Sequence, residues 1–363
     1  MDVDLLRRLS EAPGVSGDEE AVRKLVAEAV RGRVDALRAD SIGNLIAFKA
    51  GASNPARQEP APVPDGEPSG GPDRSFRVMV AAHMDEVGLM ITEVNDDGAL
   101  SFELVGGIDP RTLVSQPVRV GADAVPGVIG FKPPHLSEAS ERDKAPTIKA
   151  LRIDIGADSK DAAGKRAKRG DYAVYATEML DLGPTLLGKA FDDRGGCAML
   201  AELLADRFPF DLYGVFTVQE EVGLRGAQVA AHHVHPHAAL VLECGTTDDT
   251  PKKRDDTPVM RLGQGPAITV VDRSLVADPR LVRHLIAIAE AEGIPYQIRA
   301  PKGGGTDGGR IHLAREGVPT AVVSIPCRYL HAPASLISKA DFDHAVALVR
   351  AALHRLTPEV LAR

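Results

Sequence analysis

Two stretches of alternating strand and helix are separated, between Gly88 and about Gly183, by short β-like runs with turn residues between them. That interruption restricts the chain to a small set of folds. Before it, Val22, Leu25, Val26 and Ala29 form a helical stripe, and Asn44–Phe48 and Arg77–Ala82 read as strands. Within it, Leu89–Val94, Leu100–Leu104, Pro117–Val120, Val128–Phe131, Leu151–Ile155 and Tyr172–Tyr175 are bounded by Gly, Pro or Asp. After it come a helix over Asp193–Asp206, strands at Leu212–Gln219, Ala238–Glu243, Ile268–Val271, Tyr296–Arg299 and Thr320–Ser324, and helices over Pro279–Glu292 and Lys339–Leu356. The pattern predicts an α/β domain built from residues 1–87 and 184–363, with a small all-β domain, 88–183, inserted into it. The Pro/Gly-rich stretch Gly51–Ser75 reads as a flexible surface insertion between two strands. Ser16 and Glu19 read as a capping box at the start of the second helix.

Composition removes several partner classes. The 363 residues are 44% hydrophobic, enough for real cores, and carry 43 Lys+Arg against 51 Asp+Glu, a net charge of -8. A mildly acidic chain offers no basic surface for nucleic acid or anionic membrane. The N-terminus does not read as a signal peptide, and no apolar run approaches the roughly 20 residues of a membrane span. Cys197, Cys244 and Cys327 are few and widely spaced, so a reducing cytoplasm is expected.

Carboxylates and histidines gather at predicted strand ends, where open α/β sheets bind ligands. Glu220 and Glu221 follow the apolar run Leu212–Phe216 and precede Gly223. Adjacent carboxylates are costly to crowd into one site unless a cation holds one of them. His83 ends Arg77–Ala82, and Asp85 stands two residues on, on the same side of an extended segment. Asp192 and Asp193 join the inserted region to a helix, Glu243 ends a strand, and His331 lies in the loop after another. Imidazole and carboxylate suit divalent metals, and Asp192 has two oxygens with which to bridge a pair of them. Two dications set against Asp192, Glu221 and Glu243 leave one positive charge for a bridging hydroxide to neutralise. Glu220, beside a ligand but not one itself, is placed to take a proton from the attacking water and pass it to a leaving amine.

The segments Ala82–Gly88, Lys189–Arg194, Gln219–Gly223 and Tyr329–Pro333 resemble those of the tetrahedral aminopeptidase and glutamyl aminopeptidase family of dinuclear metallopeptidases. The likeness runs in order over nearly the whole chain. It includes Gly127–His135 and Ile153–Lys160 in the inserted region, and Gly305–Gly308 and Glu316–Thr320 near the end. It implies an α/β/α catalytic domain with a barrel-like dimerisation domain. Asp192 would bridge two ions, with Glu221 and His331 completing one set and His83 and Glu243 the other. Glu220 would be the general base, and Asp85 the partner that fixes His83. The ions would be zinc, with cobalt or manganese as alternatives, and dimers would build a tetrahedral dodecamer. Thr306 and Asp307 would be weak substrate contacts, and His135 reads as a structural residue rather than one that reaches a neighbouring subunit's active site. The family often has Asp where this chain has Glu243, so Asp248 and Asp249 compete for that role.

The expected reaction is removal of N-terminal residues from peptides by metal-hydroxide attack. A deacylase of N-acyl amino acids is the alternative: it needs a blocked N-terminus where the aminopeptidase needs a free one. A non-catalytic binding relative would have lost a ligand or the base, whereas every position here is filled. A glycosidase also uses paired carboxylates, but the chain has no Trp and 4% aromatics. The run His232, His233, His235 and His237 reads as an exposed helix end and loop, and Cys197 as a buried small residue.

Overall fold

A computed structural model describes residues 1–59, 75–136, 144–250, 259–299 and 304–362. Most of the Gly51–Ser75 stretch lies outside the described residues. Two sheets account for the strands named here. The larger contains β1 (Ala36–Ala39), β2 (Leu45–Lys49), β3 (Arg77–His83), β10 (Leu180–Asp181), β11 (Thr185–Gly188), β12 (Asp211–Thr217), β13 (Ala238–Thr246), β14 (Ala267–Thr269), β15 (Gln297–Arg299), β16 (Thr320–Arg328) and β17 (Ser335–Ser338). Its main path runs β1-β2-β12-β3-β13-β16-β17-β11-β10, with β14 beside β16 and β15 beside β14. The central strands β12, β3, β13 and β16 are parallel. Their side chains are almost entirely buried, as continuous apolar runs covered on both faces require.

Helices Val3–Glu11, Glu20–Val30, Phe191–Leu203 and Lys339–His354 form one contacting group over the centre of this sheet. Arg225–Val234 and Gly308–Ile311 form another against β3, β12, β13 and β16. The resulting core runs from Leu6 and Val26 through Phe48, Val80 and Val241 to Val349.

The intervening segment closes on itself. Strands β4 (Gly88–Val94), β5 (Leu100–Val105), β6 (Pro117–Val120), β7 (Val125–Gly130), β8 (Arg152–Asp154) and β9 (Tyr172–Tyr175) form a barrel in the order β4-β5-β8-β7-β6-β9. It has its own interior of Leu89, Ile91, Phe102, Val118, Ile129 and Ile153. The α/β class with a β barrel is therefore the observed architecture, and the barrel's edges are used up in its closure.

The barrel leaves the sheet through a buried ion cluster. Glu86, two residues before β4, receives both Lys189 Nζ (2.7 and 2.8 Å) and Arg194 Nη2 (3.3 Å). Arg194 also donates to main-chain oxygens of Met84, Leu9 and Ala12, so one guanidinium joins the first helix, the β3 exit and the helix at Phe191–Leu203. All three charged side chains are at most 3% exposed.

Three local expectations are corrected. The capping box does not form: the second helix starts after Glu19 with no side-chain cap, because Ser16 and Glu19 are both buried and bonded elsewhere. β13 does not end at Glu243 but runs on to Thr246, paired with β16 throughout. The histidine run is only partly exposed: His235 is buried at the left-handed C-cap of its helix and bonds Glu316 at 3.1 Å, and His237 Nδ1 accepts the Arg77 amide at 3.1 Å. The polar neighbours that hold these rings come from β3 and the Glu316 turn, far off in the chain.

Replacing Glu86 with Gln should strand two buried cations. A loss of about 3–5 kcal/mol in the denaturant-unfolding free energy is expected, and a variant of unchanged midpoint would refute the cluster's structural role. Burial pulls His237 down to about 4, below its unfolded value of about 6.5. The folded ring is thus the poorer base, and its contribution is complete above that unfolded value and lost as pH falls towards about 4. His237→Gln should flatten the stability–pH curve in that window by about 1–2 kcal/mol, after allowance for partial exposure.

Candidate metal centre and active-site cleft

A cleft of about 710 Å³ opens at the C-terminal ends of the central strands. His83, Asp192, Glu220, Glu221, Glu243 and His331 all line it. Each arrives by a different local device. β3 and β12 are in register to their last pair, Thr217↔His83, so β3 presents His83 where β12 gives way to the Glu220–Glu221 turn. The β3–β13 ladder stops at Val241↔Ala81. Glu243 therefore lies beyond the last paired residue on that side, and its Oε2 is 3.8 Å from His83 Nε2. His331 sits in the turn after β16 with φ 59, as does Tyr329 with φ 61.

Asp192 stands between two histidines. Its Oδ1 is 3.2 Å from His83 Nε2 and its Oδ2 is 3.2 Å from His331 Nε2. Glu221 Oε2 accompanies His331 Nε2 at 3.3 Å. In each ring the other nitrogen is committed to a carbonyl: Nδ1 of His83 to Asp85 O at 3.1 Å, and Nδ1 of His331 to Gly107 O at 2.9 Å. A carbonyl only accepts, so each Nδ1 holds a proton and each Nε2 faces Asp192.

Asp85 does more than fix His83, whose ring lies nearer the Asp85 main-chain oxygen than the carboxylate (3.4 Å). The carboxylate is fully buried, and it accepts the amides of Glu220 (3.0 Å) and Glu221 (3.1 Å) and the hydroxyl of Ser16 (2.6 Å). The preceding amides are held likewise: Val218 N by Asn44 Oδ1 and Gln219 N by Glu19 Oε1. Asp193 is buried with both oxygens on main-chain amides, of Gly196 and His83, so it braces the strand end although its atoms lie near Glu243. Gly196 is required there, since a Cβ would come within 2.3 Å of that carboxylate. Ser16, Glu19 and Asn44 carry no ligand-like spacing, and only their buried polar character marks them.

Asp248 and Asp249 are turned to other work. Asp248 accepts the Val259 amide, and Asp249 takes Arg328 at 2.8 and 2.9 Å. Thr306 lines the cleft wall and donates to Asp272. Asp307 does not line the cleft: it is buried behind it and accepts from Thr217 Oγ1, with its carboxyl raised to about 6 by burial. His135 lies in an exposed turn of the barrel.

Burial raises the carboxyls of Glu220 and Glu243 well above the ordinary range, and that of Glu221 to about 8, with neighbouring acids adding to it. Burial alone would depress the two histidines, yet Glu220 and Asp192 beside His83, and Asp192 and Glu221 beside His331, outweigh it. His331 rises to about 9, and His83 rises as well. Without cations the cluster neutralises itself with protons. Glu221 Oε1 and Glu243 Oε1 are buried with no hydrogen-bond partner. Two histidines, three carboxylates and two idle buried oxygens suit hard or borderline divalent cations.

The family model for M42 glutamyl aminopeptidases matches residues 68–348. A lysyl aminopeptidase of Pyrococcus furiosus is 32% identical over 99% of this chain and 98% of its own. An aminopeptidase from Desulfurococcus kamchatkensis superposes with a TM-score of 0.89 at 37% identity, over 99% of this chain and 96% of that one. The TET1 peptidase of Pyrococcus horikoshii, described as assembling into a tetrahedron or a large octahedral shell, gives 0.82 at 32% identity over 98% and 99%. The chain belongs to the M42 glutamyl aminopeptidase family, whose members are metal-dependent peptide hydrolases of the aminopeptidase class. Among the described residues, no helix is long and apolar enough to cross a membrane.

Loading with zinc at pH 7 should release protons, because Glu221 and His331 hold theirs at that pH in the metal-free cluster. About two protons per chain or more are expected, since Glu243 and His83 are raised as well, read as the calorimetric difference between buffers of unlike ionisation enthalpy. His331→Ala should remove about one of them, and a release that ignores the substitution would contradict the assignment.

Proposed function

We propose that the chain is a dinuclear aminopeptidase, with Asp192 shared between two ions, His83 and Glu243 completing one set and His331 and Glu221 the other. The observation that carries this is the pair of Asp192 oxygens, each 3.2 Å from the Nε2 of a different histidine, with a glutamate beside each ring. Bound divalent ions would polarise the scissile carbonyl and acidify a water, and zinc is the favoured pair, with cobalt or manganese also suited.

Glu220 is the general base in this reading. Its carboxylate is 4.0 Å from His83 Nε2, it lines the cleft, and its main chain is fixed by Asp85. Burial raises its pKa, which suits a group that takes a proton from water and returns it to the departing amine. Asp85 sets the direction of Glu220 and Glu221 together and helps to hold the His83 ring. Thr306, on the wall, contacts the substrate. The free, buried cysteines fit a cytoplasmic setting.

For the assembly, we propose that residues 88–183, apart from Leu180–Asp181, which pair with β11 in the larger sheet, form the dimerisation unit and that dimers build a tetrahedral dodecamer. Exposed Val128 and Leu136 on the barrel side support a contact there, alongside the shell-forming relative.

A panel of free and N-acetylated aminoacyl-p-nitroanilides tests the reading. Metal-dependent cleavage of free N-termini alone is expected. Glu220→Gln should lower kcat by about 10²–10⁴-fold with both ions retained. Cleavage of the acetylated set would instead favour a deacylase, and no turnover with two ions bound would favour a binding protein.

A further inference from the structure

The segment Gly14–Glu19 precedes the second helix and contributes nothing to the cleft lining. It nonetheless reaches the active-site turn twice, once directly and once through Asp85. Ser16, 5% exposed, donates its hydroxyl to Asp85 Oδ2 at 2.6 Å, the same oxygen that receives the Glu221 amide. Glu19, 4% exposed, accepts the Gln219 amide at 3.2 Å and its own segment's Gly17 amide at 2.7 Å. Gln219 has φ 55, a left-handed conformation that a non-glycine residue keeps only when its surroundings impose it. The segment is itself anchored to the metal-side chain: Glu86 N donates to Gly14 O at 2.9 Å, and Val15 bridges Glu86. Val15 also fills the space above Gly88, where a Cβ would meet it at 2.4 Å.

The amides of Val218, Gln219, Glu220 and Glu221 are thus taken by side chains from three separate places: Asn44, Glu19 and Asp85. The carbonyls of Val218 and Gln219 accept the first amides of the following helix, from Gly226 (3.0 Å) and Arg225 (3.2 Å), but on its amide side the turn is held by these side chains, and its position depends on where those acceptors sit. We infer that Ser16 and Glu19 are positioning residues, which hold Asp85 and Gln219 and thereby set the place of Glu220 and Glu221. The inference rests on the role proposed for Glu220, but the clamp is a property of the chain whatever bond is cleaved.

A buried carboxylate deprived of one of its donors is free to turn, and a turn deprived of an acceptor is free to flip. Displacement of a reacting group by about 1 Å costs on the order of 10²-fold in rate. Neither residue lines the cleft, so KM should change little and the loss should fall on kcat; because Ser16 shares Asp85 Oδ2 with the Glu221 amide, metal binding should weaken as well, and saturating metal keeps the ions in place.

The test uses the full chain at saturating metal, with Ser16→Ala, Glu19→Ala and Glu19→Gln beside wild type. Hydrogen exchange of the peptide covering Val218–Glu221 and steady-state kinetics on the best substrate of the panel are both measured. The two alanine variants should lose amide protection in that peptide by about 10-fold or more and lower kcat by about 10–100-fold. KM should stay within about 2-fold and exchange in the barrel strands should be unchanged. Glu19→Gln keeps an oxygen acceptor and should behave as wild type. Unchanged protection of the turn in both alanine variants would overturn the inference, as would a Glu19→Gln variant as impaired as Glu19→Ala. If either alanine variant fails to fold, the Glu19→Gln comparison and the remaining variant decide. The exchange readout stands even if no amide substrate is cleaved, so failure of the proposed reaction and failure of the clamp are separate results.

Discussion

The cleft is organised by a crowd of like charges in a place where water is scarce. Asp192, Glu220, Glu221 and Glu243 are each at most 12% exposed at the side chain, with two imidazoles among them. Taken together they cannot all ionise without a counter-charge, and burial drives the glutamates' pKa values upward. The same arrangement that is unfavourable as bare protein becomes favourable once cations enter. Metal affinity and structural order at these strand ends are therefore two aspects of one electrostatic requirement.

Such a cluster needs a rigid frame, and the frame here is made of buried polar side chains aimed at the main chain. Asp85 gathers two amides and a hydroxyl, Asp193 braces the amides of His83 and Gly196, and Asn44 and Glu19 take the two amides before Glu220. Each of these acceptors is buried, so losing a partner costs it the full desolvation penalty, which is why the arrangement is stiff. The ion cluster of Glu86, Lys189 and Arg194 extends the frame to the first helix and to the exit of the barrel. The barrel in turn reaches back into the site: the Gly107 carbonyl, in the loop after β5, accepts a hydrogen bond from His331 Nδ1. Barrel and sheet share the site through that bond as well as through the chain.

How much of this is legible in the residues varies by scale. The six short strands read between Leu89 and Tyr175 are the six that close the barrel, because alternation and Gly/Pro/Asp turns are local signals. The residues that meet in the cleft are also legible, since a chemically costly Glu-Glu or Asp-Asp at a strand end stands out against apolar runs. The frame is not. Ser16 and Glu19 have the spacing of a capping box, and only the nearness of Asp85 and Gln219, about 70 and 200 positions away, redirects them. His235 and His237 look solvated by composition, and the bonds that hold them come from Glu316 and the start of β3.

The sequence by itself therefore determined the class of fold, the inserted barrel and the set of side chains that meet at the strand ends, because these depend on periodicity and on residue chemistry. Tertiary structure alone decided which histidine nitrogen faces Asp192, that Glu243 rather than Asp248 or Asp249 faces His83, that Asp307 lies behind the wall, and which buried acceptors hold the Glu220 turn. The reason is physical. A hydrogen bond has a range of about 3 Å and a direction, and no local pattern encodes which distant segment will stand at that distance.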